Sequence, residues 1–206
     1  MYCYLSKTER NPHYAPIFYR LAQECKNECS RAKLEEYYNK AIYHDPTLSE
    51  AYYELAVISE ESGNDSEAKK FYKKVTQLDP TNSPAYFKLG VDYFHKGEFE
   101  YAERFLKQAA KVSYSYEDAY YLGWICMLKQ DYDMAYWHFR KCVNVDSEYL
   151  FKTHLGIGMV FHLSGKQDLA EEQVNTLRDL SRDNIADQLL RFIRTGQYPD
   201  IFPGLI

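Results

Sequence analysis

The chain has 206 residues and a net charge of −5, with 46% apolar and 17% aromatic residues, the latter mostly its 21 tyrosines. That balance argues against a nucleic-acid partner, which calls for a basic face, and is too mild for a disordered acidic tail. Residues 1–10 hold no apolar run of signal-peptide length, and the densest apolar stretch, 120–128, is about half a membrane span, so a soluble, cytoplasmic chain is expected.

After an extension over 1–14, helical spacing begins. The first unit, 15–48, carries Phe18, Leu21-Ala22, Tyr38, Ala41 and Pro46, with Leu34 between its helices. The second, 49–82, carries Tyr52, Leu55-Ala56, Ala68, Tyr72 and Pro80. Its phrase Ala51-Tyr52-Tyr53-Glu54-Leu55-Ala56 returns 34 residues later, in the third unit, 83–115, as Ala85-Tyr86-Phe87-Lys88-Leu89-Gly90. Pro46 to Pro80 and Gly63 to Gly97 keep the same step. In that third unit Pro84 sits where a helix starts, since its missing N–H costs nothing there. Tyr86, Leu89, Gly90 and Tyr93 share one helical face, Lys96-Gly97 ends the helix, and Ala102, Phe105, Leu106 and Ala109 form a second face. Gly90 and Ala102 are expected to meet where these two helices cross. The fourth unit, 116–150, shows Ala119, Leu122-Gly123, Ala135 and Phe139; the fifth, 151–182, shows Ile157-Gly158, Phe161, Gly165 and Ala170. A period near 34 residues means small units stacked in a line rather than one globular core.

Beyond 182, Ile185, Leu189, Leu190, Phe192 and Ile193 predict a capping helix over 183–196. The tail, 197–206, has two prolines and a glycine and is not helical, but Ile201, Phe202, Leu205 and Ile206 predict that it orders against apolar surface.

These residues resemble the tetratricopeptide repeat, whose pattern is W-x2-L-G-x2-Y, then A-x3-F, then P. Tyr86 stands in the tryptophan slot, followed by Leu89-Gly90, Tyr93 and Ala102, with Leu106 in the phenylalanine slot. The resemblance spans about 15–182 and implies an all-α, right-handed superhelical solenoid of about five helix pairs plus the C-terminal cap. It also implies that the first helices of successive units line a concave, peptide-binding groove. Groove positions would then be Tyr19, Gln23 and Lys26; Glu50, Tyr53, Val57 and Glu60; Phe87, Val91 and Phe94; Tyr120, Trp124 and Met127; and Leu155, Met159 and His162. Glu50, Glu54, Glu60 and Glu61 would form an acidic rim. The lysine–asparagine clamp that some members use for a C-terminal carboxylate is absent: Tyr19, Gln23, Tyr53 and Val57 stand in its place.

Chemistry finds little support in the pattern. Cys25 and Cys29, four apart, read as packing against a turn, because a structural zinc needs four ligands and no second pair follows. Cys126 and Cys142 read as facing core thiols in a reducing compartment, and an odd count of five makes no disulfide framework. His154 and His162 lie eight residues apart, about 12 Å along a helix, too far to share a metal. Glu60-Glu61 and Glu171-Glu172 read as solvated helix surface. No phosphate loop, nucleophile elbow or zinc-protease pattern occurs. The expectation is a non-catalytic scaffold without cofactor or metal. It would bind a partner protein's amphipathic peptide or helix with apolar anchors and basic flanks. In the alternative, its groove is filled by its own or a neighbouring subunit's terminal segment, giving a homo-oligomer.

Overall fold

The computed structural model describes residues 10–143 and 149–199. Among them the regular structure is helical throughout, with no strand. The helices divide between two compact units, one up to Tyr86 and one from Phe87 onward.

In the first unit a 3₁₀ turn at Pro12–Tyr14 leads into α1 (Ala15–Glu24), followed by α2 (Arg31–His44), α3 (Ser49–Glu61) and α4 (Asp65–Leu78). Each helix packs on the next, and the core gathers Ala22, Leu34, Tyr38, Ala41, Ala51, Leu55 and Ile58. α5 (Ser83–His95) begins in this unit and runs into the second. There follow α6 (Phe99–Val112), α7 (Tyr116–Leu128), α8 (Tyr132–Arg140), α9 (Tyr149–Leu163), α10 (Gln167–Asp179) and α11 (Asp183–Thr195). In the second unit α7 touches α9 and α9 touches α11, while α8 packs between α7 and α9 and α10 between α9 and α11. Within this unit the first helices α7, α9 and α11 thus form one layer, with α8 and α10 packed against it.

Local signals explain where the helices start and stop. Ser115 and Asp118 make a reciprocal capping box at the start of α7: Ser115 N and Oγ donate to Asp118 Oδ2 at 3.0 and 2.8 Å, and Asp118 N donates to Ser115 Oγ at 3.1 Å. Asp118 is buried, which pushes its carboxyl above the usual range. Gly97 closes α5 with φ +72°, the left-handed region that favours glycine. Gln130 holds the corresponding place after α7 at φ +61°, a strained conformation for a side chain with a Cβ.

Gly90 does sit at a tight helix approach, but against another residue than expected. A Cβ there would lie 2.6 Å from Leu106 Cγ, so the contact falls one turn beyond Ala102, which is itself wholly buried. The ring of Phe139 on α8 passes between two glycines of the first-helix layer. A Cβ on Gly123 would stand 2.8 Å from its Cδ1, and one on Gly156 2.8 Å from its Cζ.

The cysteine expectation needs one correction. Cys25 and Cys29 are joined as a disulfide, with Cα atoms 5.2 Å apart, because the turn ending α1 (Cys29 N donating to Cys25 O at 2.8 Å) brings residues four apart onto one side. The pair still packs on the first core, as expected of it. Cys126 and Cys142 are free and buried, and burial pushes both thiols up, Cys142 to about 11. Of the tail, only 197–199 is described: the Tyr198 ring meets Phe192 at 5.1 Å and Pro199 is buried. The apolar residues from Ile201 on lie outside the described residues.

Candidate partner-binding face

In the first unit the candidate residues on α1 and α3 build a polar face. Gln23 Nε2 donates to Glu54 Oε1 at 3.0 Å and to Tyr38 OH at 3.2 Å, and Lys26 Nζ donates to Glu54 Oε2 at 2.8 Å. The hydrogen bond to Glu54 raises Lys26 above the ordinary lysine value. Burial first, then the charge of Glu54, raises both Tyr38 and Tyr19, so both phenols stay protonated. On the other side of α3, Tyr72 OH donates to Glu60 Oε2 at 2.7 Å, and Tyr53 meets the Tyr72 ring at 5.8 Å.

The acidic rim is therefore smaller than its sequence suggested. Glu54 pairs with Lys26 and accepts a hydrogen bond from Gln23, and Glu60 accepts one from the buried Tyr72 phenol. Glu50 and Glu61 remain exposed, and Tyr53 and Val57 are half-buried between them.

In the second unit the candidates separate by burial. Phe87 and Val91 on α5 and His162 on α9 are half-exposed. Phe87 meets Tyr121 edge-on at 5.8 Å, and His162 Nδ1 lies 2.9 Å from Gln167 Oε1. Phe94 and Tyr120 are 8% exposed, with Phe94 held by Tyr121 and Phe99 at 5.2 and 5.6 Å.

Trp124, Met127, Leu155 and Met159 are at most 3% exposed and belong to the core. The reason is local. α7 and α9 are apolar on every face, the mark of a helix covered all round. Phe139, threaded between Gly123 and Gly156, meets the Trp124 indole edge-on at 5.0 Å and holds it inside. These four side chains fill the interior and are not contact residues in this conformation.

Other features escaped the sequence reading. Trp137 is 47% exposed on α8, with Lys141 Nζ 5.1 Å above its ring and Tyr114 at 6.1 Å. Behind it His138 is buried, its Nδ1 3.0 Å from Tyr114 OH, and burial lowers it to about 4. Both residues fall between the repeat's landmark positions, so no motif flags them; only the outward helical position of Trp137 could have. His154 lies 2.9 Å from Gln173 Oε1 and shares no partner with His162. Among the described residues no group of three or more His, Cys, Asp or Glu is placed to hold a metal, and no helix is long and apolar enough to cross a membrane.

Comparison with known proteins places the fold. A tetratricopeptide-repeat family model matches residues 49–82. No curated protein sequence matches the chain. Among solved structures, residues 41 to the end of MamA from Desulfovibrio magneticus RS-1 share 18% identity at a TM-score of 0.66, covering 82% of this chain and 95% of that one. YrrB, described as a TPR protein with an unusual peptide-binding site, shares 17% identity at a TM-score of 0.74, over 86% and 92% of the two chains. A tetratricopeptide-repeat protein from Parabacteroides merdae shares 19% identity at a TM-score of 0.70, over 88% and 74%. With the repeat matched at 49–82 and the fold shared along most of its length, the chain contains a tetratricopeptide repeat and has the all-α repeat architecture of these structures.

Proposed function

We propose that the protein is a non-catalytic interaction scaffold that binds an apolar segment of another protein on its first helices. One observation carries the reading: Tyr53 on α3 in the first unit, and Phe87 and Val91 on α5 in the second, are apolar side chains of first helices that stay partly exposed, Phe87 with its inner edge on the core. Half-exposed aromatics on a rigid helical frame suit an anchor-and-groove mode of recognition. The fold's likeness to YrrB, described as peptide-binding, supports the same reading. Glu50 and Glu61 remain as exposed acids that favour basic flanks on the bound segment, mainly through its rate of association.

Screening the chain against a displayed library of short peptides tests this. A consensus of apolar anchors with lysine or arginine flanks is expected, and its binding should fall at least tenfold in Phe87→Glu and Val91→Glu with the helical spectrum unchanged. Binding that survives both substitutions moves the site elsewhere. The terminal-segment alternative predicts instead that a peptide with the sequence of 197–206 binds and competes with the selected peptides.

A further inference from the structure

Two apolar features lie outside the repeat contacts, an exposed stripe at α1 and a hollow along α10 and α11. Tyr14, the residue before α1, and Ile17 and Leu21 on α1 are spaced three and four apart and form one stripe, 49%, 53% and 38% exposed. Ile17 is the most exposed large apolar side chain among the described residues. Beside the stripe, Arg20 and Glu24 pair with each other at 3.0 Å and are both open to solvent. Along α10 and α11 runs a hollow of about 390 Å³ lined by the apolar Val174, Leu190 and Ile193 and by the charged Glu171, Arg178 and Arg194. Neither Glu171 nor Arg194 makes an ion pair among the described residues.

The layer rule of the second unit gives the hollow its meaning. α8 packs beside α7 and α10 beside α9, each second helix covering the flank of its first helix. α11 continues the first-helix layer, and among the described residues no helix covers its flank. The hollow has an apolar floor, with Glu171 as its acid and Arg178 and Arg194 as its bases; Arg178 is held 3.7 Å from Asp187, which leaves Glu171 and Arg194 for an outside partner. The α1 stripe is a helix face with an apolar centre and one charge of each sign beside it.

We propose that the α1 face of one copy docks into the α10–α11 hollow of a second copy. Ile17 and Leu21 would sit on Leu190 and Ile193, while Arg20 meets Glu171 and Glu24 meets Arg194. The two surfaces differ, so the contact is heterologous: each copy keeps a donor end and an acceptor end, and assembly proceeds head to tail. Three exposed side chains and a shallow hollow place it with weak contacts, below about 1,200 Å². It does not depend on the peptide-binding reading, since it uses none of Tyr53, Phe87 or Val91.

Sedimentation velocity on the full chain, from about 10 to about 500 μM, tests it by mass action. The mean size should rise steadily with concentration, and Ile17→Asp and Ile193→Asp should each hold the chain as a monomer. Mixing the two variants is decisive: one keeps an intact hollow and the other an intact α1 stripe, so the mixture should form dimers and nothing larger. Because Ile193→Asp risks the fold, a charge pair gives a second route. Arg194→Glu should reduce association at least fivefold, and Glu24→Arg in the same chain should restore it. A wild-type chain that stays monomeric throughout the range overturns the proposal. So does a mixture of two folded, monomeric variants that fails to dimerise, since that outcome points to a two-fold contact.

Discussion

Phe139 allows the packing argument to be put to a number. Its ring is wholly buried, and a Cβ at Gly156 would stand 2.8 Å from Cζ. Carbon atoms in contact prefer about 3.5–4.0 Å, so an added methyl overlaps the ring by about 0.7 Å or more. Retreat is limited, because the Gly123 backbone already lies close against the same ring, where a Cβ would stand 2.8 Å from Cδ1. Gly156→Ala is therefore expected to destabilise the fold by about 1–3 kcal/mol through overpacking. It does so although alanine is the better helix former by about 1 kcal/mol. Phe139→Ala alone should cost about 3–5 kcal/mol. With the ring gone the clash goes too, and Gly156→Ala in that background becomes neutral or stabilising by up to about 1 kcal/mol. The double-mutant coupling should thus be about 1–4 kcal/mol. Urea unfolding followed by circular dichroism measures it, reading midpoints at constant slope; Phe139→Leu serves as a milder background. An equal cost of Gly156→Ala with and without the ring would refute the reasoning.

Further expectations follow from the same coordinates. Gln130→Gly should raise stability by about 0.5–1 kcal/mol, strain relief at φ +61° outweighing the glycine's added unfolded-state freedom; a lower melting temperature would show that the turn is not strained. Trp124→Ala should lower stability by about 3–5 kcal/mol, and any loss of partner binding should track unfolding in a thermal melt; lost binding with unchanged stability would return Trp124 to the surface. His138 is lowered from its ordinary value to about 4 by burial, so the unfolded chain takes up the proton first. Its contribution is complete above pH about 6.5 and is lost as the pH falls toward about 4, by up to about 3 kcal/mol. His138→Gln should flatten that stretch of the stability–pH curve; parallel curves for the two proteins would refute it.

The core positions were legible because they obey one local rule. Leu55, Leu89, Leu122 and Ile157 recur at the repeat's step and face inward by helical periodicity alone. The rule fails for Trp124 and Met159. α7 and α9 are apolar on every side, so no period tells one buried face from two. The Gln23–Glu54–Lys26 network was hidden for another reason: its partners lie about thirty residues apart, and whether a glutamate meets a lysine or a partner depends on the helix spacing. At Gly90 the residue type announced a close approach, but the partner shifted one turn, from Ala102 to Leu106, with the crossing geometry. The one-turn spacing of Cys25 and Cys29 was visible; that the two sulfurs are bonded was not.

The polar bridge from the α1 end to α3 gives the chain's two units unequal responses to solvent. In the first unit Gln23 and Lys26 hold Glu54 across the first-helix layer, while in the second α7 meets α9 through Phe139 and the side chains around it. Ordinary salt screens the Lys26–Glu54 pair, which is half open to water, and loosens that layer slightly. Strongly excluded salts such as sulfate do the reverse to apolar burial and tighten the second unit. Cooling acts the other way, weakening apolar contacts while leaving the charged bridge. Added sulfate should therefore slow amide exchange more in α7–α9 than in α1–α3, where screening of the Lys26–Glu54 pair offsets part of the gain from apolar burial.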